Sequence, residues 1–137
     1  MKNSIIYLML ILLASTYVHA DKLSVFVDVK SIESKTDEPF YDDSIDLDID
    51  ADGSLDSTLH FSYSKSGPPP ACIDIDDCKI TNHPVITSYI DIFKKRIHIN
   101  FMCSSIGFYS KKTNGLRDMH CGPDLRLRWN GKNYTEQ

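Results

Sequence analysis

Four aspartates within nine residues carry the sharpest chemical signal in this sequence. Asp48, Asp50, Asp52 and Asp56 fall in the segment D-I-D-A-D-G-S-L-D, with Gly53 directly after the third. Calcium takes six to eight oxygen ligands, and alternating acidic residues followed by a glycine let one short loop wrap such an ion. A plainer account covers most of the same residues. Aspartates at 46, 48 and 50 on an exposed strand face keep a sheet edge soluble, and Asp52-Gly53 suits a tight type I′ hairpin turn. That account leaves Asp56 unexplained. The plain hairpin is the preferred reading, and calcium stays open as the candidate cofactor with Asp48, Asp50, Asp52 and Asp56 as its candidate ligands.

The opening D-x-D-x-D-G resembles the loop of EF-hands, whose twelfth position is a bidentate glutamate. Here that position is Leu59 and no flanking helices are expected, so an EF-hand is rejected. The nine-residue pattern is also similar to calcium loops between strands of integrin-type β-propellers. That resemblance implies a closing role for Asp56 and nothing about the fold, since only nine residues match. A second acidic group, Asp74, Asp76 and Asp77, lies between Cys72 and Cys78.

The reading of the cysteines depends on compartment. Lys2 precedes an unbroken apolar run over residues 5–13, and Val18-His19-Ala20 closes it with small residues around a variable one. This is the pattern of a secretory signal peptide over residues 1–20, leaving residues 21–137 as a single domain. Nine apolar residues fall short of the ~20 that cross a bilayer as a helix, so no transmembrane segment is expected. In an exported domain Cys72, Cys78, Cys103 and Cys121 read as two disulfides. Local pairing, Cys72 with Cys78 and Cys103 with Cys121, is preferred, and the crossed pairings stay open. Structural zinc is disfavoured because the usual Cys-x(2–4)-Cys spacing is absent.

Charge is unevenly spread. Residues 21–93 hold five Lys/Arg against sixteen Asp/Glu, whereas residues 94–137 hold nine against three. Lys94, Lys95, Arg96, Lys111, Lys112, Arg117, Arg126 and Arg128 are candidates for a basic face toward anionic glycans, phosphates or membrane. The bland alternative is two halves of opposite charge that face each other. Nucleic acid is not expected as a partner, because the aromatics are not interleaved with the basic residues as stacking platforms.

Catalysis finds little support. No Gly-x-Ser-x-Gly, His-Glu-x-x-His or phosphate-cradling glycine loop is present. The enzyme candidate that remains is His60 or His98 with His120, near Lys95 or Arg117, as general acid and base on a phosphodiester. His60 and His98 occupy the polar positions of their alternating segments, which favours solvent exposure. His83 precedes Pro84 in a turn. Asn133-Tyr134-Thr135 is an N-glycosylation sequon, making Asn133 a candidate glycan site.

The elements that must position these residues follow a period of two. Leu23, Val25, Val27 and Val29 alternate with polar positions, as do Ile45, Leu47 and Ile49, and Leu59, Phe61 and Tyr63. Residues 85–93 are rich in β-branched and aromatic types, Ile97, Ile99 and Phe101 alternate again, and Leu125, Leu127 and Trp129 close the series. No window shows a helical period. Asp52-Gly53 and Asn130-Gly131 read as hairpin turns, residues 67–70 (Gly-Pro-Pro-Pro) as an extended connection, and residues 104–122 as the longest irregular stretch.

The sequence thus predicts an all-β domain, a small antiparallel β-sandwich or barrel-like sandwich with two disulfides. Its composition, 42% hydrophobic and 25% charged, is that of an ordinary globular domain and excludes disorder and coiled coil. Two function classes follow. The first is a secreted recognition module that binds an extracellular protein, glycan or membrane surface through loops or a sheet edge, with calcium as candidate ordering ion. The second is a small secreted histidine-dependent phosphodiesterase or nuclease. A secreted toxin or effector of the same fold differs from the first only in its target.

Overall fold

A computed structural model describes residues 21–67 and 83–136. The expected signal segment, the proline run, Asp74, Asp76 and Asp77, and the Cys72 and Cys78 pair lie outside the described residues. In chain order the elements are β1 (Leu23–Asp28), α1 (Val29–Glu33), β2 (Phe40–Leu47), β3 (Ser57–Ser64), β4 (Val85–Ile92), β5 (Lys95–Cys103), β6 (Ser105–Thr113), β7 (Leu116–Cys121), β8 (Leu125–Trp129) and β9 (Tyr134–Glu136). They form two antiparallel sheets, one ordered β1-β6-β7-β8-β9 and the other β2-β3-β4-β5.

The period-two pattern explains why these segments face one another. Leu59, Phe61 and Tyr63 of β3, Ile86, Ile90 and Ile92 of β4, and Ile97 and Ile99 of β5 are buried on one side of the four-stranded sheet. They join Val27, Ile106, Phe108, Met119 and Leu127 of the other sheet in a single buried cluster, so the sandwich-like arrangement has one core. Cys103 of β5 and Cys121 of β7 are bonded across it, linking the two sheets. The local pairing expected for these two cysteines is the one observed.

Several sequence expectations are corrected. Residues 104–122 are not irregular: they hold β6 and β7, paired from Ile106↔Cys121 to Thr113↔Leu116 around an Asn114-Gly115 turn. Their core positions do not alternate cleanly, because the register shifts between Phe108 and Lys112, and that shift hid the strands. A short helix, α1, also forms. Asp28 caps it by accepting from the Ser31 N–H at 2.7 Å, and Val29 and Ile32 bury its inner side. Five residues are too few to show a helical period.

Asp52-Gly53 is not a two-residue hairpin turn either, since β2 and β3 are joined by nine residues, 48–56, in which Ala51 as well as Gly53 takes a positive φ. In β1 the register shifts between Val25 and Val27, which leaves Val25 exposed and turns Phe26 toward Phe108, their rings 5.9 Å apart. This strand can lie close to β6 because position 107 is glycine. A Cβ there would stand 2.5 Å from the Ser24 carbonyl oxygen.

Candidate functional site

Four connections gather at one end of the molecule. The 48–56 connection, the Phe93-Lys94 turn between β4 and β5, the Asn114-Gly115 turn between β6 and β7, and residues 130–133 between β8 and β9 surround a cleft of about 540 Å3. Its apolar lining comes from Ile92, Phe93, Ile97, Leu116 and Trp129. Its rim is mainly basic, with Lys95, Arg96 and Lys132 against the single acid Asp50. Among the described residues Lys95 and Lys132 have no ion-pair partner, whereas Arg96 is held by Asp91 through Nε at 2.8 Å and Nη2 at 3.0 Å. Clefts of a few hundred cubic ångströms with an apolar lining and a few charged groups are the usual form of a ligand site.

The 48–56 loop is built around Asp48. Its carboxylate accepts from the Asp52 N–H and the Gly53 N–H, each at 3.0 Å, while Asp50 Oδ1 accepts from the Asp52 N–H at 3.2 Å and Asp52 Oδ1 from the Ser54 N–H at 2.8 Å. Such contacts are the ordinary use of aspartate in turns. Ile49 is fully buried and anchors the loop to the core. From the opposite sheet Arg117 donates to the Asp48 carbonyl at 2.8 Å, and Lys112 donates to the Asp50 carbonyl at 3.0 Å.

Carboxylate oxygens of Asp48, Asp50 and Asp52 come within 4.8 Å of one another, a spacing one cation can bridge, and Asp56 lies outside that group. Partial desolvation pushes Asp48 up, but the Gly53 and Asp52 amides and then Arg117 outweigh it and hold its carboxyl below the usual range. Asp50 moves the other way. Desolvation and the charges of Asp52 and Asp56 raise it.

Beside this loop a second, smaller cleft of about 260 Å3 opens between the sheets, walled by Phe26, Leu47, Leu55 and Phe108 with Asp48 and Arg117 at its mouth. Leu55, 71% exposed, and Phe93, 67% exposed, are the two most exposed large apolar side chains of the described residues. Both stand on connections at this end.

The histidines are distributed differently. His60, Tyr89 and His98 are cross-strand neighbours on β3, β4 and β5. Tyr89 stacks on His60 with ring centroids 4.6 Å apart, and His60 Nε2 lies 3.2 Å from Asp91 Oδ2. His120 sits on β7 of the other sheet, 2.9 Å from Ser105 Oγ, with burial lowering its pKa. The structure therefore groups His60 with His98 around Tyr89 and places His120 apart.

Of the expected basic face, the structure brings Lys95 and Arg96 to the cleft, leaves Lys94 exposed on the neighbouring turn outside the lining, and adds Lys132. Arg117, Arg126 and Arg128 instead stand beside Asp48 and Asp118. Trp129 and Lys132 are lining residues the sequence reading passed over. The Asn130-Gly131 turn beside them was the available signal. Asn133 closes that turn, its N–H donating to Asn130 Oδ1 at 2.8 Å, so the sequon lies at the loop end next to the cleft.

Comparison with known protein families, with curated proteins and with solved structures finds no match to this chain.

Proposed function

We propose that this chain is a secreted recognition module that binds an acidic extracellular partner through its loop end. One observation carries the reading: an apolar cleft among four connections, rimmed by Lys95, Lys132 and Arg96. Loops set on a rigid two-sheet scaffold can present a binding surface without disturbing the core, and lysines that have no ion-pair partner among the described residues, beside aromatic rings, favour a ligand with negative charge. Export, with cleavage after Ala20 and a second disulfide between Cys72 and Cys78, belongs to the same reading. The bond linking Cys103 to Cys121 is in keeping with an oxidising compartment. Calcium bound by Asp48, Asp50 and Asp52 would order the loop beside the cleft.

Heparin, an acidic glycan, tests the proposal. The mature chain should be retained at low salt and released as salt rises. Lys94→Glu, Lys95→Glu and Lys132→Glu together should abolish retention, while Lys30→Glu and Lys65→Glu, away from the cleft, should not. Flow-through at low salt, or retention indifferent to the loop-end triple, overturns it.

A further inference from the structure

We infer that the cleft takes an amphiphilic anion, a molecule with an aliphatic or flat apolar body and a carboxylate-type head, and that Phe93 is the residue that covers it. The inference rests on the loop end being the binding end, and names the ligand chemistry of that site.

Two turns, one from each sheet, line the cleft and differ in kind. Asn114-Gly115 joins β6 to β7 with φ of 52° and 93°, and Asn-Gly is the pair that such a two-residue hairpin favours. Phe93-Lys94 joins β4 to β5, between the paired Ile92 and Lys95, with φ of 49° and 59°. Both residues carry a Cβ into the left-handed region, where non-glycine residues other than Asn and Asp are rarely found. Backbone strain of this kind persists where the surroundings impose it and gathers at functional sites.

The result is a phenylalanine ring held at the mouth of the cleft. Phe93 lines the cleft and is still 67% exposed, so a ligand seated against Ile97, Leu116 and Trp129 would remove from water a surface that folding leaves bare. Charge selects the head group. Lys95 and Lys132 stand at the rim without ion-pair partners among the described residues, while Arg96 is occupied by Asp91, so two ammonium groups face the one carboxylate of Asp50. A cleft of about 540 Å3 is of small-molecule size, which favours a single amphiphile over a polymer as the occupant of the cleft itself.

Trp129 lines the cleft and is the only tryptophan of the chain, so its fluorescence reports occupancy directly. The probes are decanoate, below its micelle concentration, and decanol. Decanoate should shift Trp129 emission saturably, with decanol binding at least about tenfold more weakly. Lys95→Ala with Lys132→Ala should reduce decanoate to the level of decanol.

Replacing Phe93→Asn and Lys94→Gly installs the pair used by the opposite turn. That variant should melt a few degrees higher, because strain is relieved, and bind decanoate about tenfold more weakly, because the cover is gone. Equal responses to decanoate and decanol, no saturable shift at all, or undiminished binding by the Asn-Gly variant would each overturn the inference. Trp129 emission that answers only phosphatidylserine vesicles would also overturn it, in favour of a membrane surface. The two readings separate cleanly: heparin retention that depends on the loop-end lysines without a decanoate response removes the ligand class and leaves the binding end standing, whereas retention indifferent to those lysines removes the binding end.

Discussion

Arg126 grips the fully buried carboxylate of Asp118, donating to one oxygen from Nε at 3.0 Å and Nη2 at 2.8 Å, while Thr113 Oγ1 donates to the other at 2.6 Å. The same guanidinium contacts Asp21 and lies 3.8 Å from the centre of the Tyr109 ring, and Arg128 Nε stands 3.6 Å from Asp118. Two arginines of the basic C-terminal half are thus counter-ions of a buried acid. That pairing takes Arg126 and Arg128 out of the expected basic face, while Lys95 and Lys132 at the loop end have no ion-pair partner among the described residues.

The Asp118 pairing has a direct consequence for stability. Asp118→Ala leaves Thr113 Oγ1 without its buried acceptor, whereas Arg126, 29% exposed, keeps Asp21, so the loss should fall at or below the lower end of the about 3–5 kcal/mol that breaking a fully buried pair from one side costs. Urea unfolding should show a loss of that order. A loss under about 1 kcal/mol would mean that the guanidinium finds solvent and the burial matters little.

Removal of the bond between Cys103 and Cys121 should also weaken the fold. The two residues are 18 apart in sequence, and closing a loop of that length is worth about 3 kcal/mol by the chain-entropy argument. Cys103→Ser with Cys121→Ser should shift the denaturation midpoint accordingly. Intact mass should rise by about four hydrogens on full reduction if Cys72 and Cys78 are bridged as well, and by about two if they are not.

Asp50 predicts a pH dependence of opposite sign to the usual carboxylate. Desolvation together with Asp52 and Asp56 raises its folded pKa, so its ionisation opposes folding. The penalty is absent in acid, where the group is protonated in both states, and is complete at neutral pH. In EDTA, Asp50→Asn should therefore raise Tm at pH 7 and lose that advantage toward pH 3. Calcium should raise the Tm of the parent and leave Asp50→Asn unmoved. Millimolar calcium on a site of ~0.1 mM affinity corresponds to roughly 1.4 kcal/mol. Melting curves that coincide with and without calcium would leave the three aspartates as loop-forming groups only.

His120 should contribute acid sensitivity. Burial lowers its folded pKa, so the neutral ring is favoured and its stabilisation is complete above the ordinary histidine value of about 6.5, then lost as pH falls below it. His120→Asn keeps a hydrogen-bonding partner for Ser105 and should lose less stability between pH 7 and pH 5 than the parent. Parallel profiles would place the acid sensitivity elsewhere.

Much of the fold was legible because burial on one face leaves a period of two. The segments around Leu59, Ile90 and Ile97 are strands for the reason their spacing suggested, and Cys103 paired with Cys121 as local pairing predicted. The pattern failed where register shifts broke it. In β1, Val25 points out although it keeps the apolar rhythm, and in β6 the run Ser110, Lys111, Lys112 carries no apolar signal at all. β9 escaped notice because three residues are too short to display any period.

The site divides along the same line. The residues from Asp48 to Asp56 announced a loop with chemical character, because aspartate and glycine act on neighbours a few positions away and so write their geometry into local sequence. Local spacing also placed Lys94, Lys95 and Arg96 together. Sequence had no means of bringing Phe93 to Trp129 and Lys132, or of parting Lys95 from Arg126, since those relations depend on which strands pair and which turns share an end. Tertiary structure decided them: sheet order sent Arg126 to Asp118 and set Phe93, Trp129 and Lys132 around one cleft.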